Sequence, residues 1–84
     1  AGAEKLSPEQ RAELIESMVA GLAQRLEKES RDLAGWQRLI RAYVVLGQKD
    51  KASDALGKAR TTFAGDETSL AALNDLAREL GLDS

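Results

Sequence analysis

Trp36-Gln37-Arg38-Leu39-Ile40-Arg41-Ala42-Tyr43, followed by Gly47 and then by Ala52-Ser53-Asp54-Ala55-Leu56-Gly57-Lys58-Ala59, is the stretch that decides the fold. Trp36, Leu39, Ile40 and Tyr43 recur at three- and four-residue steps, which places them on one stripe of a helix and gives that helix a face to bury. Gly47 stops the helix, because a glycine just past the last apolar residue adopts the left-handed conformation that closes a helix end without a side-chain clash. Asp50 is then the expected cap of a second helix whose inward positions are Ala52, Ala55, Leu56 and Ala59. Small residues at those steps let two antiparallel helices approach closely, while Trp36, Tyr43 and Leu56 fill the remaining space.

The spacing resembles the helix-turn-helix signature of the tetratricopeptide (TPR) repeat, and stepping by 34 residues tests it. One step on from Trp36, Leu39, Tyr43 and Gly47 lie Leu70, Leu73, Ala77 and Gly81; one step back from Leu56 lies Leu22. The expected fold is therefore all-α, a TPR-like antiparallel helical repeat of about four helices. It comprises one complete repeat flanked by two half-repeats, with Leu22, Trp36, Leu39, Tyr43, Ala52, Leu56, Ala59 and Leu73 as its structural core. Ile40 stands where the repeat usually has Gly or Ala, and Ala64 where it often has Pro.

Working outward, residues 1–6 read as a disordered lead-in and 7–82 as a single domain. Ser7-Pro8-Glu9-Gln10 offers a serine cap, a proline at the first helical position and a glutamine that completes a capping box. The helix that follows carries Leu14, Ile15, Met18, Val19, Leu22 and Leu26 on one wide apolar face and runs to about Glu29, with Met18 read as core filler. Asp32 caps a helix over Leu33–Leu46, the third helix covers Asp50–Phe63, and Asp66 caps the last, which Gly81 closes.

Eighty-four residues, 43% hydrophobic and 31% charged, suit one small helical domain. A net charge of -2 with both signs scattered gives no basic patch for nucleic acid or an anionic membrane. With no histidine and no cysteine, metal centres and thiol chemistry lose their usual ligands. Ser69 has no histidine to activate it and no glycine-rich phosphate loop follows a strand, so the reading is not an enzyme, without cofactor or metal. No run is long enough to span a membrane. The start at Ala1-Gly2-Ala3, without methionine, reads as a part excised from a longer protein.

A more particular likeness lies in Met18-Val19-Ala20-Gly21-Leu22-Ala23-Gln24-Arg25-Leu26, Leu33-Ala34-Gly35-Trp36 and Arg41-Ala42-Tyr43-Val44-Val45-Leu46-Gly47. The chain resembles the C-terminal TPR region of bacterial cytochrome c-type biogenesis proteins of the CycH/CcmI family. That resemblance implies a periplasmic chaperone-like adaptor, tethered through a membrane anchor absent from this chain. It would hold apocytochrome c by its C-terminal helix and present it to the haem-ligation machinery. The TPR resemblance also places the peptide-binding groove, on Ala34, Gln37, Arg41, Val44 and Val45 of the second helix and Ala71, Asp75 and Arg78 of the fourth, with Thr68 beside them. Arg41 is open between a ligand contact and a solvated surface charge, and Asp75, Arg78 and Glu79 between a groove and a locally paired polar face. Two other readings compete. A generic TPR scaffold could mediate self-association or assembly of a larger complex, the first helix's apolar face serving self-association or docking on the missing part of the parent chain, the fragment otherwise being a monomer; or it could clamp a chaperone tail's carboxylate.

Overall fold

Four helices make up the regular structure of residues 7–82, the span described by the computed structural model: α1 (Pro8–Lys28), α2 (Leu33–Val45), α3 (Lys49–Thr62) and α4 (Glu67–Leu80). The all-α, TPR-like repeat expected from the sequence is the architecture found. The lead-in assigned to residues 1–6 lies outside the described residues.

The caps carry the repeat down to single hydrogen bonds. Ser7 and Gln10 form the full capping box of α1, the Ser7 hydroxyl accepting from the Gln10 N–H at 3.1 Å and the Gln10 side chain accepting from the Ser7 N–H at 3.0 Å. Asp32 accepts from the Gly35 N–H at 3.0 Å, and one 34-residue step on Asp66 accepts from the Ser69 N–H at 3.2 Å. The helix ends repeat likewise. Gly47 (φ 75°) and Gly81 (φ 71°) take the left-handed conformation, and the residue after each donates five positions back, Gln48 to the Tyr43 carbonyl and Leu82 to the Ala77 carbonyl, both at 2.8 Å.

At α3 the expected boundary is corrected. Its N-cap is Gln48, which makes no side-chain capping bond, and Asp50 lies inside the first turn. The tight closure at Gly47 leaves one residue before the chain turns helical again, so α3 has begun before Asp50 is reached. The Asp50 carboxylate there meets the positive end of the helix dipole instead.

α2 is the wall shared by the other three helices: α1 approaches only α2, while α3 and α4 approach α2 and each other. Its Trp36, Leu39 and Ile40 are buried with Ala52, Ala55, Leu56 and Ala59 of α3 and Leu73, Leu76 and Ala77 of α4. Ile40 is fully buried, the space that a smaller residue would leave being filled by its own branched side chain. Leu22 and Tyr43 are half-buried against this core. The Trp36 indole N–H donates to the Ser30 carbonyl at 2.7 Å, so the largest core side chain also holds the α1–α2 turn. Beside that turn Phe63 is buried, Gly65 has φ 89°, and the Arg31 guanidinium lies 5.7 Å from the Phe63 ring centroid.

Met18 and Leu14 depart from the expectation. Met18 is 67% exposed and Leu14 52%. Periodicity places both on an apolar stripe, but α1 meets α2 along its Val19–Leu26 edge and no described helix covers the rest.

Two glycines of ordinary helical backbone make opposite predictions. A Cβ at Gly35 would lie 2.7 Å from the Asp32 carboxylate and 2.9 Å from Leu26 Cδ2, whereas one at Gly21 would meet nothing within 4 Å. Gly35→Ala should cost about 1–3 kcal/mol through overpacking, and Gly21→Ala should stabilise by about 0.5–1 kcal/mol through helix propensity. Urea denaturation of the two variants checks both signs.

The cap of α4 has a pH signature. The Ser69 hydroxyl, donating at 2.7 Å, is the main cause holding the Asp66 carboxyl below its ordinary value; the Ser69 N–H, the Arg31 charge and the Thr68 N–H add to it against the cost of desolvation. A depressed folded pKa means that the contribution is fully present above the ordinary carboxylate range and is lost as pH falls through the folded value, below about pH 4. Ser69→Ala should move the Asp66 titration upward in carboxyl carbon NMR; an unmoved midpoint would remove Ser69 as the cause.

Candidate peptide-binding surface

The stripe proposed for ligand contact runs along the flank of α2, next to its core face. Ala34, Arg41 and Val45 are exposed, Val45 to 77%, and Gln37 and Val44 are half-buried. Val44 packs against the core, so its side chain serves stability as well as surface. Val45, at the very end of α2, is the apolar group that a ligand could reach without disturbing the fold. On α4, Thr68, Ala71, Asp75 and Arg78 are all exposed.

What joins the two helices across this surface is an ion pair that sequence reasoning had not paired. Arg41 of α2 and Glu79 of α4 meet bidentately, Nη2 to Oε2 at 2.9 Å and Nη1 to Oε1 at 3.4 Å. Within α4, Arg78 pairs with Asp75 one turn earlier. Both arginines of the stripe therefore already hold a carboxylate. An acidic group on a ligand would have to compete for them, and apolar contact must supply most of any affinity. The signal for Glu79 lay in the repeat: it stands one 34-residue step beyond Val45, a stripe position. Step counting places it beside the candidate groove, though pairing across helices is a property of packing.

Two further concavities flank α2. Between α1 and α2, Ile15, Met18, Val19 and Leu22 face Arg38 and Ala42 around a mainly apolar cleft of about 270 Å³, with Arg25 at its edge. Arg25 is committed, donating to Asp32 at 3.2 Å. On the other side Glu27, Lys51, Asp54 and Lys58 ring a gap of about 230 Å³, of mixed polar and apolar lining, above Trp36 and Tyr43. Among the described residues no cluster of three or more acidic side chains could hold a metal ion, and no helix is long and apolar enough to cross a membrane.

Comparison with known proteins adds kinship to this geometry. The chain is 42% identical over 83 residues to the cytochrome c-type biogenesis protein CycH of Bradyrhizobium diazoefficiens, a match covering 99% of this chain. It is 42% identical over 84 residues, all of the chain, to the protein of the same name from Rhizobium meliloti. The chain spans 22% of the length of each. No family model matches it, and no solved structure matches it significantly.

The Arg41–Glu79 pair is half-exposed on both sides, and exposed pairs typically contribute about 0–1 kcal/mol. A double-mutant cycle with Arg41→Ala and Glu79→Ala should give a coupling within that range that shrinks in high salt. A larger, salt-insensitive coupling would show the pair to be a structural clamp between α2 and α4.

Proposed function

Taking the chain as a CycH-type segment, kin to that family along its whole length, we propose that it serves c-type cytochrome maturation as a polypeptide-binding module. It holds apocytochrome c by the protein's C-terminal helix and delivers it to haem ligation. The observation that carries this reading is the 42% identity, over the full chain, to two proteins named for cytochrome c-type biogenesis. On this reading the segment is an adaptor and not an enzyme, working on the periplasmic side of the membrane that anchors the longer protein, next to the haem-ligation machinery.

The α2–α4 surface supports the reading chemically. An amphipathic helix laid across it would set its apolar side on Val45 and Ala71. A carboxylate, or the negative C-terminal end of the bound helix, would then exchange with Glu79 or Asp75 for an arginine. Each such exchange replaces one exposed ion pair by another and contributes roughly 0–1 kcal/mol, so the arginines set register while the apolar contact sets affinity.

The test is a calorimetric and NMR titration of this chain with a peptide of an apocytochrome c C-terminal helix, beside a scrambled control. Saturable shifts at Gln37, Arg41, Val45 and Ala71 are expected. Arg41→Gln and Val45→Asp should each weaken binding by roughly fivefold, about 1 kcal/mol, with the fold retained, Arg41→Gln costing at most its exposed pair with Glu79, about 0–1 kcal/mol. Val44→Asp is the unsuitable variant, because Val44 packs on the core. No shifts at millimolar peptide, or affinities unaltered by both substitutions, would remove the client from this surface.

A further inference from the structure

Among the described residues the large hydrophobic side chains left exposed are Leu14, Met18 and Val45, and all three lie on α1 or at the end of α2. The repeat explains why. Stepped by 34 residues, Met18, Gly21, Leu22 and Arg25 of α1 are the counterparts of Ala52, Ala55, Leu56 and Ala59 of α3. In α3 those four are sealed in the core shared with α2, at 0–4% exposure. In α1 the same positions are not sealed: Met18, Gly21 and Arg25 are exposed, and Leu22 is only half-buried against the core. The register extends to the neighbouring helix, where Ala42, lining the α1–α2 cleft, is the counterpart of buried Leu76.

We propose that the cleft between α1 and α2 is the seat of one more helix of the α2 type, the first helix of the repeat that α1 completes, supplied by the stretch before α1 in a longer polypeptide such as those of the CycH relatives. Those relatives are long enough to supply it, since the matched span is 22% of their length. The occupant's chemistry can be read from α2, which is how this chain itself covers an α3-type helix. It is an amphipathic helix with large apolar residues at the steps of Trp36, Leu39, Ile40 and Tyr43. Its close approach is permitted at Gly21, where a Cβ would meet nothing within 4 Å.

One charge detail narrows it further. Arg38 lines the cleft without an ion pair among the described residues, so the occupant carries a carboxylate towards it.

The opposite end of the molecule lacks this character. At the register of buried Ile40, α4 carries exposed Asn74, which accepts from Arg60 at 2.9 Å, so that position is polar and already satisfied. The apolar invitation is confined to the α1 side.

The probe is a stapled helical peptide copying residues 32–48, the internal example of such a helix. Met18 is the single methionine of the chain, so its oxidation by peroxide, read by intact mass, reports cover over the cleft. Saturating peptide should slow that oxidation at least fivefold and shift Ile15, Leu22 and Ala42 in NMR spectra. Met18→Glu should weaken the peptide at least tenfold while leaving the melting temperature of the free chain unchanged. Unslowed oxidation at millimolar peptide would overturn the proposal. So would a dimer in sedimentation that Met18→Glu dissolves, which would give the cleft to a second copy, or equal protection of Met18 by the apocytochrome peptide, which would give it to the client. Failure of the client to bind the α2–α4 surface leaves this test unaffected.

Discussion

The burial of one face of α2 is the constraint on which the rest of the structure depends. A single helix that must contact three others cannot do so through long side chains alone, because the neighbours would be held too far apart to close around Trp36. The solution is distributed. α3 supplies alanines at 52, 55 and 59, and α1 comes in over Gly35, where the Asp32 cap and Leu26 already fill the space a methyl would need. Trp36 then adds a polar tether, its indole N–H holding the Ser30 carbonyl, so that the α1–α2 turn is fixed by the same residue that fills the core. Gly35 and Trp36 are adjacent in the chain but solve different halves of one problem: the first permits the approach and the second occupies what the approach leaves.

Most of this is legible in sequence because it is local. Ser7 with Gln10, Asp32, Asp66, Gly47 and Gly81 each act within a few residues of their own position, so spacing alone foretells them, and all appear as capping or closing residues. What sequence does not supply is the neighbour. Met18 and Leu14 belong to the same apolar stripe as Val19 and Leu26, and periodicity cannot distinguish the covered edge of a stripe from the uncovered one. Asp50 failed as a cap for a local reason of another kind, since the length of the Gly47 turn decided where α3 begins. Glu79 was within reach of step counting, yet its bond to Arg41 needs the distance between two helices, which no one-dimensional pattern contains.

The pairing of charges on the α2–α4 surface changes how its arginines should be understood. In a groove of free cations, a polyanionic or acidic segment would be drawn in by charge and lost again in salt. Here Arg41 and Arg78 each rest on a carboxylate already, so the field over the surface is nearly balanced, in keeping with the chain's small net charge. A charged ligand of such a surface would have to exchange like for like, so that register and shape would weigh more than net charge.

The two ends of the helical stack are chemically unequal, and this inequality bears on how the whole surface is built. At α4 the step from Ile40 to Asn74 converts a core position into a hydrogen-bonded, solvent-facing one, as terminal elements of repeat arrays require. At α1 the corresponding step goes the other way: the counterparts of Ala52 and Leu56 are Met18 and Leu22, larger or equal in size, the first exposed and the second only half-buried. An edge facing water gains nothing from a methionine there, and a mid-helix glycine beside it weakens α1 by about 1 kcal/mol relative to alanine. Both choices fit the proposed helix, which would approach closely and pack on a flexible thioether. With such a helix in place Val45 would lose its isolation, and the stripe that now begins at α2 would continue one helix further, lengthening the surface on which a bound polypeptide could lie.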